Sequence, residues 1–126
     1  MSGPLLLPTW EHLATAKPQV VETMRRYLQQ IGCVLRSGSV THIDVTLRSF
    51  VAFLAEAAPD VVGVGEVSRQ HVEDYKLWLA ARPGQNKPRM MPTTLAHHLG
   101  TLRMFFVRID EWGWDETPVR VPNVSR

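Results

Sequence analysis

Apolar residues recur at three- and four-residue steps along most of the chain, the spacing of one buried face of an α-helix. Four helices are predicted. The first spans residues 18–34 with Val20, Met24, Tyr27, Leu28 and Ile31 on its stripe, and Pro18 suits its first turn, where a missing N–H costs nothing. The second, over 38–57, carries Val40, Ile43, Leu47, Phe50, Val51 and Leu54, with Ser37 or Ser39 as N-cap and Pro59 just beyond its end. Ser68 caps the third, whose buried face is Val72, Tyr75, Trp78 and Leu79; it stops before Arg82-Pro83, since the residue ahead of a proline resists the α region. The fourth starts near Pro92, carries Leu95, Leu99, Leu102, Phe105, Phe106 and Ile109, and is stopped by Gly113.

The connections are read from what breaks the pattern. Val61, Val62, Val64 and Val67 have strand-like character, but Gly63 and Gly65 interrupt them and no second segment pairs with them, so residues 60–67 are assigned as loop. Residues 83–91 form a second loop, rich in Gly, Pro, Asn and Lys. From Asp115 on, Pro118 and Pro122 stand among small and polar residues, the pattern of a flexible tail. The expected organisation is an N-terminal extension (1–17), an all-α four-helix domain (18–114) and a flexible linker (115–126).

A length of 126 residues suits one domain with a real core. The single cysteine, Cys33, excludes an internal disulfide and a cysteine-based zinc site; it falls among Ile31, Val34 and Leu35, as a small core or boundary residue. The apolar run Leu5–Leu7 is closed by Pro8 and has no basic residue ahead of it, so neither a signal peptide nor a membrane span is expected, and a reduced cytoplasmic setting is.

The net charge of +2, from 14 Lys and Arg against 12 Asp and Glu, says little by itself; its distribution says more. Acids are absent from Thr23 to Ile43, which holds Arg25, Arg26, Arg36 and His42, and again from Lys87 to Ile109, which holds Lys87, Arg89, His97, His98, Arg103 and Arg108. Each window contains a helix start, where free N–H groups and the helix dipole already favour an anion. A solvated face that merely lacks acids gives the same pattern. Geometry separates the two: Thr93, His97, Gly100, Met104 and Arg108 lie opposite the apolar stripe of the fourth helix, with Thr94 and Thr101 at the margin. The matching side of the second helix is Thr41, Val45, Arg48 and Ala52. Such short polar faces suit close approach to a groove, whereas an ordinary solvated helix carries Glu–Lys pairs.

No catalytic, metal or cofactor motif emerges. His97 and His98 point about 100° apart on a helix, and His12, His42 and His71 lack partners at ligand spacing. Tyr27 and Tyr75 lie on apolar stripes, and Gly63-Val64-Gly65 lacks the third glycine and the strand of a dinucleotide loop. Phosphate or solvent contact fits His42 and His97, while His98 falls half buried. Trp112-Gly113-Trp114 packs the end of the fourth helix on the bundle.

Ser39-Val40 with Ile43, Leu47, Phe50, Phe53 and Leu54 resembles the second helix of the core-binding domain of tyrosine recombinases, the phage-type integrases. Val67-Ser68 through Tyr75-Lys76-Leu77-Trp78-Leu79 is similar to that domain's third helix, and Met91-Pro92-Thr93-Thr94-Leu95, His97-His98-Leu99, Leu102-Arg103 and Phe105-Phe106 to its fourth. Glu111-Trp112-Gly113-Trp114, running to Pro118, resembles the exit toward the catalytic domain, so that the likeness covers roughly residues 18–118. The chain departs from the family pattern at Met91, where Ser is common, and at His97 and His98, where Arg is common. Histidine there weakens phosphate binding at neutral pH.

The resemblance implies a SAM-like orthogonal four-helix bundle that grips double-stranded DNA at a recombination half-site, its second and fourth helices facing the major groove. It nominates Ser39, Thr41, His42, Arg48, Thr93, Thr94, His97, His98 and Arg103 for DNA contact; Lys87 and Arg89 join them from the basic loop that leads into the fourth helix. Arg103 lies at the edge of the buried stripe, where a bond within the bundle is the alternative. The implied partners are a C-terminal catalytic domain, which would carry the strand-cleaving chemistry in a longer protein, and further recombinase protomers on the DNA. A helical protein-interaction domain using the same faces is the competing expectation; it predicts salt-insensitive binding, with Val45 and Met104 as its apolar hints.

Overall fold

Among the described residues, five α-helices carry the fold: α1 (Trp10–Ala16), α2 (Pro18–Ile31), α3 (Ser37–Ala57), α4 (Arg69–Ala81) and α5 (Pro92–Glu111). The structure, a computed structural model, describes residues 7–81, 92–122 and 124, and no strand occurs among them. The apolar stripes converge as their spacing requires. Phe50 of α3 meets Tyr75 of α4 edge-on at 5.0 Å and Phe106 of α5 at 6.4 Å, while Tyr27 of α2 meets Phe105 of α5 at 4.9 Å. All five rings are fully buried. Edge-to-face pairs of this kind add to the area they bury.

The protein is all-α with one helix more than the hydrophobic spacing predicts. Residues 1–17 are expected to be an extension, yet α1 buries Leu13 and lays Trp10 and Ala14 against the core. Seven residues are too few for a periodic signal, but Thr9 is a legible start: its hydroxyl accepts the His12 N–H at 3.1 Å. Lys17 joins α1 to α2 and is itself buried. Its Nζ donates to the carbonyls of Ala58 at 2.7 Å and Val61 at 2.6 Å, beyond the C-terminal end of α3. A cation there answers the negative end of the α3 dipole and ties down the turn that follows it, in which the Ala58 carbonyl also accepts the Val61 N–H at 3.1 Å.

Residues 58–68 form the expected loop, but a structured one. Val61, Val64 and Val67 are buried around a 3₁₀ turn, Val64–Glu66, and the Glu66 carboxylate accepts the N–H groups of Val62 at 2.7 Å and Gly63 at 3.0 Å. Ser68 caps α4 as expected, in reciprocal form. Its hydroxyl faces the His71 N–H at 3.4 Å, and its own N–H donates to His71 Nδ1 at 2.9 Å. Nδ1 is thereby an acceptor, so Nε2 carries the proton and donates to Asp60 at 2.8 Å.

Three boundaries differ from expectation. Neither Ser37 nor Ser39 caps α3: Ser37 is its first residue and Arg36 holds the cap position without a side-chain hydrogen bond. The helix predicted to reach Val34 ends at Ile31, followed by a turn at Gly32. Cys33 consequently faces solvent instead of the core, and Val34 is exposed with it. The tail departs further from the flexible linker. Gly113, at φ +72°, ends α5 with the Gly113 N–H on the Asp110 carbonyl at 3.0 Å and the Trp114 N–H on that of Ile109 at 3.1 Å, which turns the chain back. The chain then packs on the bundle. Glu116 pairs with Arg26, whose guanidinium also lies 4.3 Å from the Trp114 ring, and Pro118, Pro122 and Val124 are buried. Apolar residues at 118, 121, 122 and 124 are few, but they meet a surface already shaped to take them.

Candidate nucleic-acid interface

α3 and α5 run side by side in the same direction. The rings of His42 and His97 lie 6.1 Å apart, and Phe50 and Phe106 meet at 6.4 Å. Eight residues separate the two positions on α3 and nine on α5, so the helices advance together. Counting back five residues from each histidine reaches Ser37 and Pro92, the first residues of the two helices. Two N-terminal ends with their free N–H groups therefore lie at one end of the bundle. At α3 no side chain caps them: Arg36 holds the cap position in extended conformation, and Ser37, Gly38 and Ser39 are exposed.

Alongside α5 runs an open groove of about 880 Å³. Pro92, Thr93, His97, Gly100, Arg103 and Arg108 line it from α5, with Ile43 from α3, Tyr27 from α2 and Val124 from the tail. No aspartate or glutamate is among the described residues that line it. Arg108, in the last turn of α5 where the helix dipole favours a cation, donates to the Tyr27 hydroxyl at 3.0 Å and forms no ion pair among the described residues. Burial pushes the Tyr27 hydroxyl up from its ordinary range, with Arg108 opposing in part. Gly100 is informative for what the fold does not ask of it, since a Cβ there would meet nothing within 4 Å. Glycine inside a helix costs stability relative to alanine, and here no packing contact explains it.

The structure gathers most of the expected contact residues at this end. Ser39, Thr41, His42, Thr93, Thr94, His97 and Arg103 are exposed, and the Thr41 hydroxyl donates to the Ser37 carbonyl at 2.9 Å. Arg103 makes no hydrogen bond or ion pair among the described residues, so the alternative of a bond within the bundle is not what the structure shows. His98 is half buried behind His42 and His97. Burial first, then the two neighbouring imidazoles, holds its pKa below the ordinary histidine value, and its Nδ1 has no partner among the described residues. Arg48 is set apart. Its Nε donates to Asp44 at 3.0 Å and its Nη1 approaches the Pro8 carbonyl at 3.4 Å, while Asp44 also accepts Trp10 Nε1 at 2.6 Å. This arginine fastens α1 to α3. Lys87 and Arg89 lie outside the described residues.

Arg108 is the groove residue that the sequence nominations omit. Its signal was present, since it continues the series Thr93, His97, Gly100, Met104 along the outer face of α5. Elsewhere, Ser68, His71 and Asp60 form a hydrogen-bonded chain with the residue types of a hydrolase triad. The Ser68 N–H takes up the Nδ1 lone pair that a general base would need, so the chain serves to cap α4. No group of His, Cys, Asp and Glu among the described residues is arranged to hold a metal ion, and no described helix is long and apolar enough to cross a membrane. No family model matches the chain, and comparison with curated proteins and with solved structures returned no match.

Proposed function

We propose that this all-α domain is a duplex-DNA-binding module of a site-specific tyrosine recombinase, with the SAM-like arrangement that its helix pattern resembles. The observation that carries the DNA reading is the run of cationic and titratable groups along α5 and its neighbour: His42 and His97 lie near the N-termini of α3 and α5, and Arg103 and Arg108 follow along an acid-free groove, with no ion pair on any of them among the described residues. Uncompensated cations and free N–H groups fit phosphates, and the small outer face of α5, with Thr93, Ala96 and Gly100, lets a helix approach base edges closely. A catalytic domain and fellow protomers on the DNA are the partners this reading implies.

The test is binding to a fluorescent duplex of about 25 base pairs across a salt series. Affinity that falls steeply with salt, and a slope reduced in the Arg103→Ala, Arg108→Ala double variant, supports contact through α5. Absence of binding at low salt overturns the reading. Salt-insensitive capture of a protein partner through the same face would favour a protein-interaction domain instead.

A further inference from the structure

We infer that this face grips DNA in a proton-dependent manner, with His42 and His97 as paired sensors that take up protons as phosphate docks between α3 and α5. The inference rests on the DNA reading and adds its regulation. The two rings stand 6.1 Å apart, one from each helix, one and a half turns inside the two N-termini. Both are exposed, so both can meet an anion and exchange protons with solvent.

Among the described residues, the surroundings give a proton on either ring no acid to share. From α5 the nearest charged or titratable groups are His98 and, further along, Arg103; before α3 stands Arg36; Arg108 and the Tyr27 hydroxyl of α2 lie at the other end of α5, and Val124 of the tail brings none. On α3 the nearest acid is Asp44, held by Arg48 and Trp10. On α1, Glu11 faces Arg25. On α4, Glu73 pairs with Lys76 and Asp74 accepts from Gln70. A phosphate diester therefore supplies the counter-charge that the protein withholds. Whatever stabilises the charged rings in the complex also makes protonation strengthen the complex, because linkage is reciprocal. Histidine is the side chain suited to this, since its ordinary range lies near neutrality.

The experiment titrates duplex binding at fixed ionic strength from about pH 8.5 to about pH 5.5, with a salt series at each end. Wild type is compared with His42→Gln/His97→Gln and with His12→Gln, an exposed histidine on α1. Expected is an affinity that rises about tenfold toward the acid end, with a salt slope steeper by about two as two more cations engage phosphates. The double variant should bind with nearly constant affinity and slope, and His12→Gln should follow wild type. A flat wild-type profile, or a double variant that keeps the wild-type profile, overturns the inference and leaves the DNA reading standing. Absence of binding at every pH overturns the DNA reading, and the inference with it. Imidazole proton NMR of the unmodified protein provides a check that needs no variant. Adding duplex should move the His42 and His97 titrations to higher pH, and unchanged titrations would count against the proposal.

Discussion

At the C-terminal end of α3, Lys17 meets two carbonyls, Glu66 accepts two backbone N–H groups, and Asp60 accepts the His71 proton. At the N-terminal end, about 31 Å away by helix rise, Arg36 offers no side-chain cap, and neither His42 nor His97 forms an ion pair with an acid among the described residues. Both ends hold backbone groups that regular helix hydrogen bonds do not satisfy, in the loop after α3 at one and at the first turn of α3 at the other. One end satisfies them within the chain and so contributes to folding. The other leaves them unsatisfied, in the form an anion would complete. Position along one helix thus separates residues that maintain the fold from residues available to a ligand.

The contrast is most exposed to refutation at Lys17. Lys17→Met removes the buried donor to both carbonyls, leaving Ala58 the Val61 N–H, and should lower unfolding free energy by about 2 kcal/mol in urea titration, with duplex affinity of the folded protein unchanged. A change within experimental scatter would mean that this end is not held as described. Arg103→Ala is the mirror experiment. Stability should stay within about 0.5 kcal/mol, while duplex affinity falls about tenfold and the salt slope drops by about one. His71→Ala removes the reciprocal cap and the bridge to Asp60, and should cost about 1 kcal/mol in thermal or chemical denaturation. Gly100→Ala sharpens the comparison at the other end. It should stabilise α5 by about 0.5–1 kcal/mol and weaken duplex binding, since a methyl group there meets only the ligand.

Stability against pH should show the smallest effects, with the same sign at both ends, a decline as pH falls, but a different cause at each. Asp60 and Glu66 are held below the usual carboxylate range, Asp60 first by the hydrogen bond from His71 and Glu66 by the N–H groups of Gly63 and Val62. Their contribution is complete above the ordinary carboxylate range and is lost as pH falls through their lowered folded values. His98 is depressed by burial, so the unfolded chain binds its proton more readily and stability declines as pH drops through the ordinary histidine range. Thermal melts of His98→Gln should lack that first decline and keep the acidic one.

The helical pattern was legible because each main helix is long enough to repeat its stripe, and the cap at Ser68 and the stop at Gly113 follow from local chemistry alone. α1 and the tail were not legible for the converse reason. Trp10, Leu13, Pro118 and Val124 are too few and too scattered to make a period, and they become core residues only once α2, α3 and α5 present a surface to them. Likewise Arg48 reads from the sequence as a surface cation, and only the arrival of α1 turns it into a clasp between Asp44 and Pro8.

By itself the sequence determined what acts within one or two helical turns: the α character, the Ser68 cap and the Gly113 stop, the acid-free windows and the small outer face of α5. Tertiary structure alone decided what depends on residues far apart in the chain. It buried Lys17 against Ala58 and Val61, folded the tail onto Arg26, and set α3 and α5 side by side in one direction, so that helix starts 55 residues apart in the chain, Ser37 and Pro92, share one end. Periodicity records which face of a helix is buried but not which neighbour buries it. That choice belongs to the packing of whole helices, and with it the placement of His42 beside His97.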